Sequence, residues 1–272
     1  MSSNKKYAIL DTDFISKMYI TRKDENSQLI KLIVQIEDFD FICHHQTLVE
    51  LQRHNSDAAN WLQKEKSITV YSDLDLITLL ENIYNKSAFY LFANLLKTSC
   101  DVFSSNYYNT HYQELDKYLS NPIDTLNVDG FVSKISSCDS NIGTGNNLGE
   151  IKLYTIAQVL ETLGNNQLYV FCSDDRKACY TLNGQSNFEC VRALGAFYLA
   201  KNYLLLSKDE AKSYYDSWMA FHIERNQDSF KMYLEKNNQL QKVDGYNIFN
   251  MLYNNELKLL KNGHFCKNDL NE

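Results

Sequence analysis

Six carboxylates stand where the chain, read as alternating strands and helices, turns from one element to the next. Asp11 and Asp13 follow the apolar run KYAIL (6–10), and Glu50 lies in HHQTLVELQRH (44–54). Glu150 opens LGEIKLYTIAQVLETL (148–163), and Asp174 and Asp175 follow QLYVFC (167–172). Side-chain oxygens without His or Cys partners suit hard divalent cations such as Mg²⁺ or Mn²⁺. Such ions generate hydroxide from bound water and neutralise charge on a phosphate and its leaving oxygen, so the chemistry to expect is phosphoryl hydrolysis. Each residue alone also has a structural use. An acid in the first turn of a helix is favoured by the helix dipole by about 0.3–1 kcal/mol, and Asp caps helix N-termini well. The set is harder to explain in that way, because carboxylates crowded together repel one another unless a cation intervenes.

The elements that must position these groups read as an α/β pattern. KYAIL, FDFIC (39–43), ITVY (68–71), QLYVFC and NFECV (187–191) are short apolar runs suited to buried strands, with helical periodicity between them. A helical pattern runs from Phe14 through KMYITRKDENSQLIKLIVQI, Thr47 is a candidate N-cap, and 148–163 reads as an amphipathic helix stopped by Gly164. Strand–helix alternation of this kind predicts a mainly parallel sheet. In such sheets functional groups gather outside the carboxyl ends of the strands, where all six acids would share one rim. Residues 73–120 carry apolar residues at helical spacing and predict a helical insertion extending to about 145, with SSCDSNIGTGNN (136–147) as its closing loop. Residues 207–272 predict a helical C-terminal extension to a domain spanning 1–206.

The composition limits the alternatives. In 272 residues there are 27 basic and 34 acidic side chains, a formal net charge of −7, which argues against a broad basic surface for nonspecific nucleic-acid binding but leaves room for a local basic groove. One Pro and nine Gly imply few long irregular loops. Seven cysteines, with no CxxC pair, read as buried thiols of a reducing cytoplasm. No signal peptide and no apolar run near the ~18 residues of a membrane span are expected, so the expected localisation is cytoplasmic. His44 and His45 lack the Cys partners of a zinc site. GTGNN (143–147) lacks the Gly-Lys-Ser/Thr ending of a phosphate loop, and no GxSxG nucleophile elbow occurs. The tyrosines of YYNTHY (107–112) could stack on single-stranded bases or pack in a core.

Four segments, in order, resemble the motifs of the PIN-domain nucleases. YAILDTDFISKMY resembles the family's opening strand and Asp, and HHQTLVELQRH its second motif, a helix bearing one Glu. LGEIKLYTIAQVL resembles the third, and VFCSDDRKA (170–178) the fourth, a strand followed by Ser/Thr and acids. The pairing of GE with a downstream DDR and ECVRALGAFYLA is similar to a subset of PIN relatives. The resemblance covers about residues 5–70 and 145–205. It implies a three-layer α/β/α PIN-like fold and a metal-dependent endoribonuclease acting on single-stranded RNA. Carried over by motif, Asp11, Glu50, Glu150 and Asp175 would be the catalytic ligands of Mg²⁺ or Mn²⁺, with Asp13 and Asp174 as further metal contributors. The motif favours Asp175 over Asp174, which would be left as a helix cap. Ser173 would orient Asp175 or a metal-bound water, and Arg176 would contact phosphate or form a salt bridge. A toxin or defence role, an inhibitor or antitoxin-like partner, and a homodimer are further family habits. A non-catalytic PIN-like scaffold and a structure-specific DNA nuclease are the alternatives, and no membrane partner is expected.

Overall fold

The computed structural model describes residues 5–143, 146–164, 168–185, 187–234 and 239–268. In chain order the elements begin with β1 (Lys6–Leu10), α1 (Thr12–Ile20), α2 (Leu29–Ile33), β2 (Phe39–His44), α3 (His45–His54), α4 (Ser56–Leu62) and β3 (Ile68–Tyr71). Helices α5 (Asp73–Tyr84), α6 (Ser87–Phe103), α7 (Tyr107–His111), α8 (Gln113–Leu119), α9 (Val128–Ser140) and α10 (Leu148–Thr162) follow. The chain then forms β4 (Tyr169–Cys172), α11 (Arg176–Asn183), β5 (Phe188–Val191), α12 (Ala193–Tyr203) and α13 (Lys208–Ile223). It ends with β6 (Ser229–Tyr233), β7 (Leu240–Asp244), α14 (Gly245–Tyr253), β8 (Leu257–Leu259) and β9 (Phe265–Lys267).

Strands β1 to β5 form one five-stranded, all-parallel sheet in the order β3-β2-β1-β4-β5, consistent with a three-layer α/β/α fold. Every residue of β4 is buried, as expected for a strand covered on both faces. The register pairs Leu10 with Cys172 and Cys172 with Val191, so β1, β4 and β5 end level with one another. No helix among the described residues is long and apolar enough to cross a membrane.

The chain divides into two compact units, 1–41 with 168–272, and 42–167. In the first, α1, α2, α12 and α13 pack together, with Phe14, Ile15, Ile30 and Phe197 fully buried. The long helix expected from Phe14 is interrupted: α1 stops at Ile20, and Thr21 accepts a hydrogen bond from the Leu29 N–H at 2.8 Å. Asp24 accepts from the Asn26 N–H and the Ser27 hydroxyl, so the polar run DENS makes a side-chain-closed turn in place of a helical one. The C-terminal segment departs from the all-helical expectation. After α13, Asn226 adopts φ 56° and the chain enters a four-stranded sheet ordered β7-β6-β9-β8. A five-residue run such as SFKMY is too short for its apolar spacing to separate strand from helix. Between β8 and β9 the chain lies against β5: the Cys190 N–H donates to the Lys261 carbonyl at 2.7 Å, and Cys190 and Asn262 form a parallel bridge.

In the second unit, α10 packs against α3, α5 and α6. Eleven of its fifteen residues are buried, so it is a core helix apolar on nearly all sides, where the sequence predicted a one-faced one. Helix α5 is started by a reciprocal capping box, in which Ser72 Oγ accepts from the Asp75 N–H and the Asp75 carboxylate accepts from the Ser72 N–H. Helix α9 begins where the Asn127 side chain accepts from the Gly130 N–H and runs to Ser140, further into SSCDSNIGTGNN than the expected loop start at 136. Residues 144 and 145 of that loop lie outside the described residues. The expected cap at Thr47 is displaced: α3 is capped by His44, whose Nδ1 accepts from the Gln46 N–H at 3.0 Å.

Candidate functional site

In the first unit the level strand ends bring Asp11 and Ser173 side by side. The Asp11 N–H donates to the Cys172 carbonyl at 3.0 Å, extending the β1–β4 pairing by one residue, and the Ser173 N–H does the same to Val191. Asp11 is 5% exposed and Ser173 is fully buried. The Ser173 hydroxyl donates to Asp11 Oδ2 at 2.6 Å and accepts from the Asp175 N–H at 3.1 Å, while Asp11 Oδ1 accepts from the Thr12 N–H at 2.8 Å. A single hydrogen-bonded chain thus runs from the Asp175 backbone through Ser173 to the Asp11 carboxylate.

Of the two neighbouring aspartates of SDD, the helix cap expected at Asp174 is supplied by Asp175. Asp175 is the N-cap of α11, with Oδ1 accepting from the Ala178 N–H at 2.8 Å. Asp174 is held elsewhere. Its Oδ2 lies 2.8 Å from Lys17 Nζ, and its Oδ1 accepts from the Ala193 N–H at 2.9 Å and lies 3.7 Å from Arg192 Nε. Burial pushes the Asp174 carboxyl up, but Lys17 and Arg192 outweigh burial and hold it below the usual range. Lys17 answers in kind: burial lowers its pKa, and Asp174 followed by Asp13 raises it above the ordinary value. Asp13, with a 61% exposed side chain, stands 3.5 Å from Lys17 one turn along α1. Arg176 is exposed at the start of α11, and among the described residues no carboxylate lies within 4 Å of its guanidinium.

In the second unit Glu50 and Glu150 are tied to one helix start. A Cβ added at Gly149 would lie 2.9 Å and 3.0 Å from the two Glu50 carboxylate oxygens, so the glycine lets the carboxylate close on the backbone of α10 immediately before Glu150. Gln46 donates to Glu50 Oε1 at 3.1 Å. Two residues on, fully buried Lys152 sits between Asp73 and Asp139, 2.8 Å from a carboxylate oxygen of each. The Tyr112 hydroxyl donates to Asp139 at 2.6 Å, and His44 Nε2 lies 3.5 Å from Asp73, beyond normal hydrogen-bond reach. Burial alone would raise Asp73 and lower Lys152. Opposite charge reverses both: Lys152, with His44 behind it, holds Asp73 strongly depressed, and Asp139 followed by Asp73 holds Lys152 strongly raised.

This network was missed in the sequence, although a lone Lys inside the apolar run of α10 is its signal. The same packing overturns the base-stacking role for YYNTHY. Tyr107, Tyr108 and Tyr112 are buried, and Tyr108 and Tyr112 stack on each other with centroids 5.5 Å apart. All seven cysteines are buried free thiols.

Comparison with family models, with curated proteins and with solved structures finds no match for this chain. The fit to a hard cation therefore rests on the donors themselves. Asp11 and Asp175 offer carboxylate oxygens, each with more than one lone-pair site, and so do Glu50 and Glu150 in their own unit. Among the described residues no three His, Cys, Asp or Glu side chains are grouped to hold a metal ion.

Proposed function

We propose that the chain is a Mg²⁺- or Mn²⁺-dependent nuclease of PIN-like type, hydrolysing phosphodiester bonds of single-stranded RNA. The observation that carries this reading is the Asp175 N–H to Ser173 to Asp11 chain, which fixes a buried carboxylate at the carboxyl end of adjacent parallel strands. In this reading Asp11 and Asp175 hold the ion in one unit, and Glu50 and Glu150 are the corresponding acids of the other. The ion, when bound, supplies a lowered water pKa and charge neutralisation at the phosphate. Ser173 acts as a positioning residue: its hydroxyl both orients Asp11 and holds the backbone of Asp175. Asp174 is left out of the ligand set because its charge is already paired with the Lys17 ammonium and the Arg192 guanidinium, which Asp11 and Asp175 do not meet.

Purified protein with Mn²⁺ should cleave single-stranded RNA, and Asp11→Asn should lower the rate by at least 100-fold with the fold retained by circular dichroism. Cleavage that survives Asp11→Asn and EDTA overturns the reading. A second reading, a non-catalytic scaffold, is favoured by the structural use of both SDD aspartates, one as a helix cap and one in an ion pair. Calorimetric titration with Mn²⁺ separates the two, since only the nuclease should take up the ion.

A further inference from the structure

Beside the Ser173–Asp175 turn, the first unit contains an open cleft of about 260 Å³. It is lined by residues from the starts of α11 and α12, from α13, and from the small C-terminal sheet. Four cations line it, Arg176, Arg192, Lys231 and Lys242, against one carboxylate, Asp174, whose oxygens are already engaged by Lys17 and the Ala193 N–H. Among the described residues no carboxylate lies within 4 Å of the charged ends of Arg176, Lys231 or Lys242. In a chain of net charge −7, this is a local reversal of sign.

Two buried donors in the lining make no hydrogen bond among the described residues: Arg192 Nε, whose nearest carboxylate oxygen is Asp174 Oδ1 at 3.7 Å, and the indole N–H of Trp218, a residue 2% exposed. A buried donor left unsatisfied costs about 1–3 kcal/mol, which an anionic oxygen in the cleft would recover. Gly263, at φ 77°, leaves room for the Arg192 side chain, since a Cβ there would lie 2.7 Å from Arg192 Cγ. Trp218 stacks on Phe230, centroids 4.7 Å apart, and gives the lining an aromatic surface beside the cations. The neighbouring His264 titrates below its ordinary value because of burial and then Arg192, in keeping with a positive local field. The volume lies just under the roughly 300–1,000 Å³ of drug-sized sites, a size for one nucleotide and not for a duplex.

We propose that this cleft binds a nucleotide phosphate, with Arg176, Lys231 and Lys242 as its charge partners and Arg192 and Trp218 as buried donors. The nucleotide could be free or part of a single strand. Asp174 and Arg176, both lining residues, flank Asp175, so a strand held here would pass beside that carboxylate; this placement rests on the nuclease reading, whereas the binding itself does not.

Trp61→Phe leaves Trp218 as the sole tryptophan and makes its fluorescence a direct readout. The full chain carrying that change is titrated in EDTA with inorganic phosphate, uridine 5′-monophosphate and a five-nucleotide single-stranded RNA. A saturable signal is expected, at lower concentration for nucleotide or RNA than for phosphate, and weakened at least tenfold by Lys231→Gln with Lys242→Gln. Should that double variant misfold, Arg176→Gln replaces it. Saturation by RNA alone assigns the strand, and equal saturation by the mononucleotide assigns a free nucleotide. No signal in any arm, or a signal unchanged by the charge variants, overturns the proposal. Because no divalent ion is present, that failure is distinct from a failure to cleave RNA.

Discussion

Ser173 is the smallest group on which the candidate site depends. Its hydroxyl is fully buried, accepts from the Asp175 N–H and donates to Asp11 Oδ2. Ser173→Ala leaves both partners without their bond in a water-poor position, and urea denaturation should show a loss of about 1–3 kcal/mol; an unchanged midpoint would mean that water replaces the hydroxyl. Asp174 gives a prediction in pH. Its carboxyl is depressed below 3.8 in the folded chain, so its contribution is complete above pH 3.8 and is lost as pH falls through the lower folded value. Lys17, raised above 10.5, contributes fully below pH 10.5 and loses its share as pH rises through the folded value. Wild type should therefore exceed Asp174→Asn in stability by a constant margin near neutrality, with the margin shrinking below pH 3.8 in acid denaturation curves. The sequence located SDD at a strand end, and the structure agrees. Which of two adjacent, chemically identical aspartates meets the Ala178 N–H and which meets Lys17 depends on the backbone angles of the turn, and no spacing rule encodes those.

At the level of elements, α10 carries the largest electrostatic commitment. Lys152 is enclosed between Asp73 at the start of α5 and Asp139 near the end of α9, so three helices share one charge network. Removing one partner from a buried set of this kind strands the others, and Lys152→Met should cost about 3–5 kcal/mol by chemical denaturation. A loss below about 1 kcal/mol would show that water reaches the two carboxylates. The helix was legible from LGEIKLYTIAQVL, but its burial was not. A single lysine makes the run look two-faced, and only the positions of Asp73 and Asp139, 79 and 13 residues away in the chain, reveal that it is inside. The strands after α13 were illegible for a different reason. Each is three to five residues long, and β6 and β9 find their partners across intervening segments.

For the molecule as a whole, the parallel sheet follows from the strand–helix alternation, whereas the contribution of residues 207–272 had to be seen. Their small sheet supplies Lys231, Lys242 and the glycine over which Arg192 passes, so the basic cleft is assembled from segments that sequence reading kept apart. The same segment has a protective consequence. Strand β5 ends the five-stranded sheet, and an uncovered edge strand is a template on which another molecule can pair. The Lys261 carbonyl and Asn262 shield part of that border through Cys190. Chains ending before residue 256 should lose this shield together with β8 and β9, and light scattering should show them associating in a concentration-dependent way while the full chain stays dispersed. The tail would then serve as a built-in guard against polymerisation, keeping the sheet from growing by one molecule at a time.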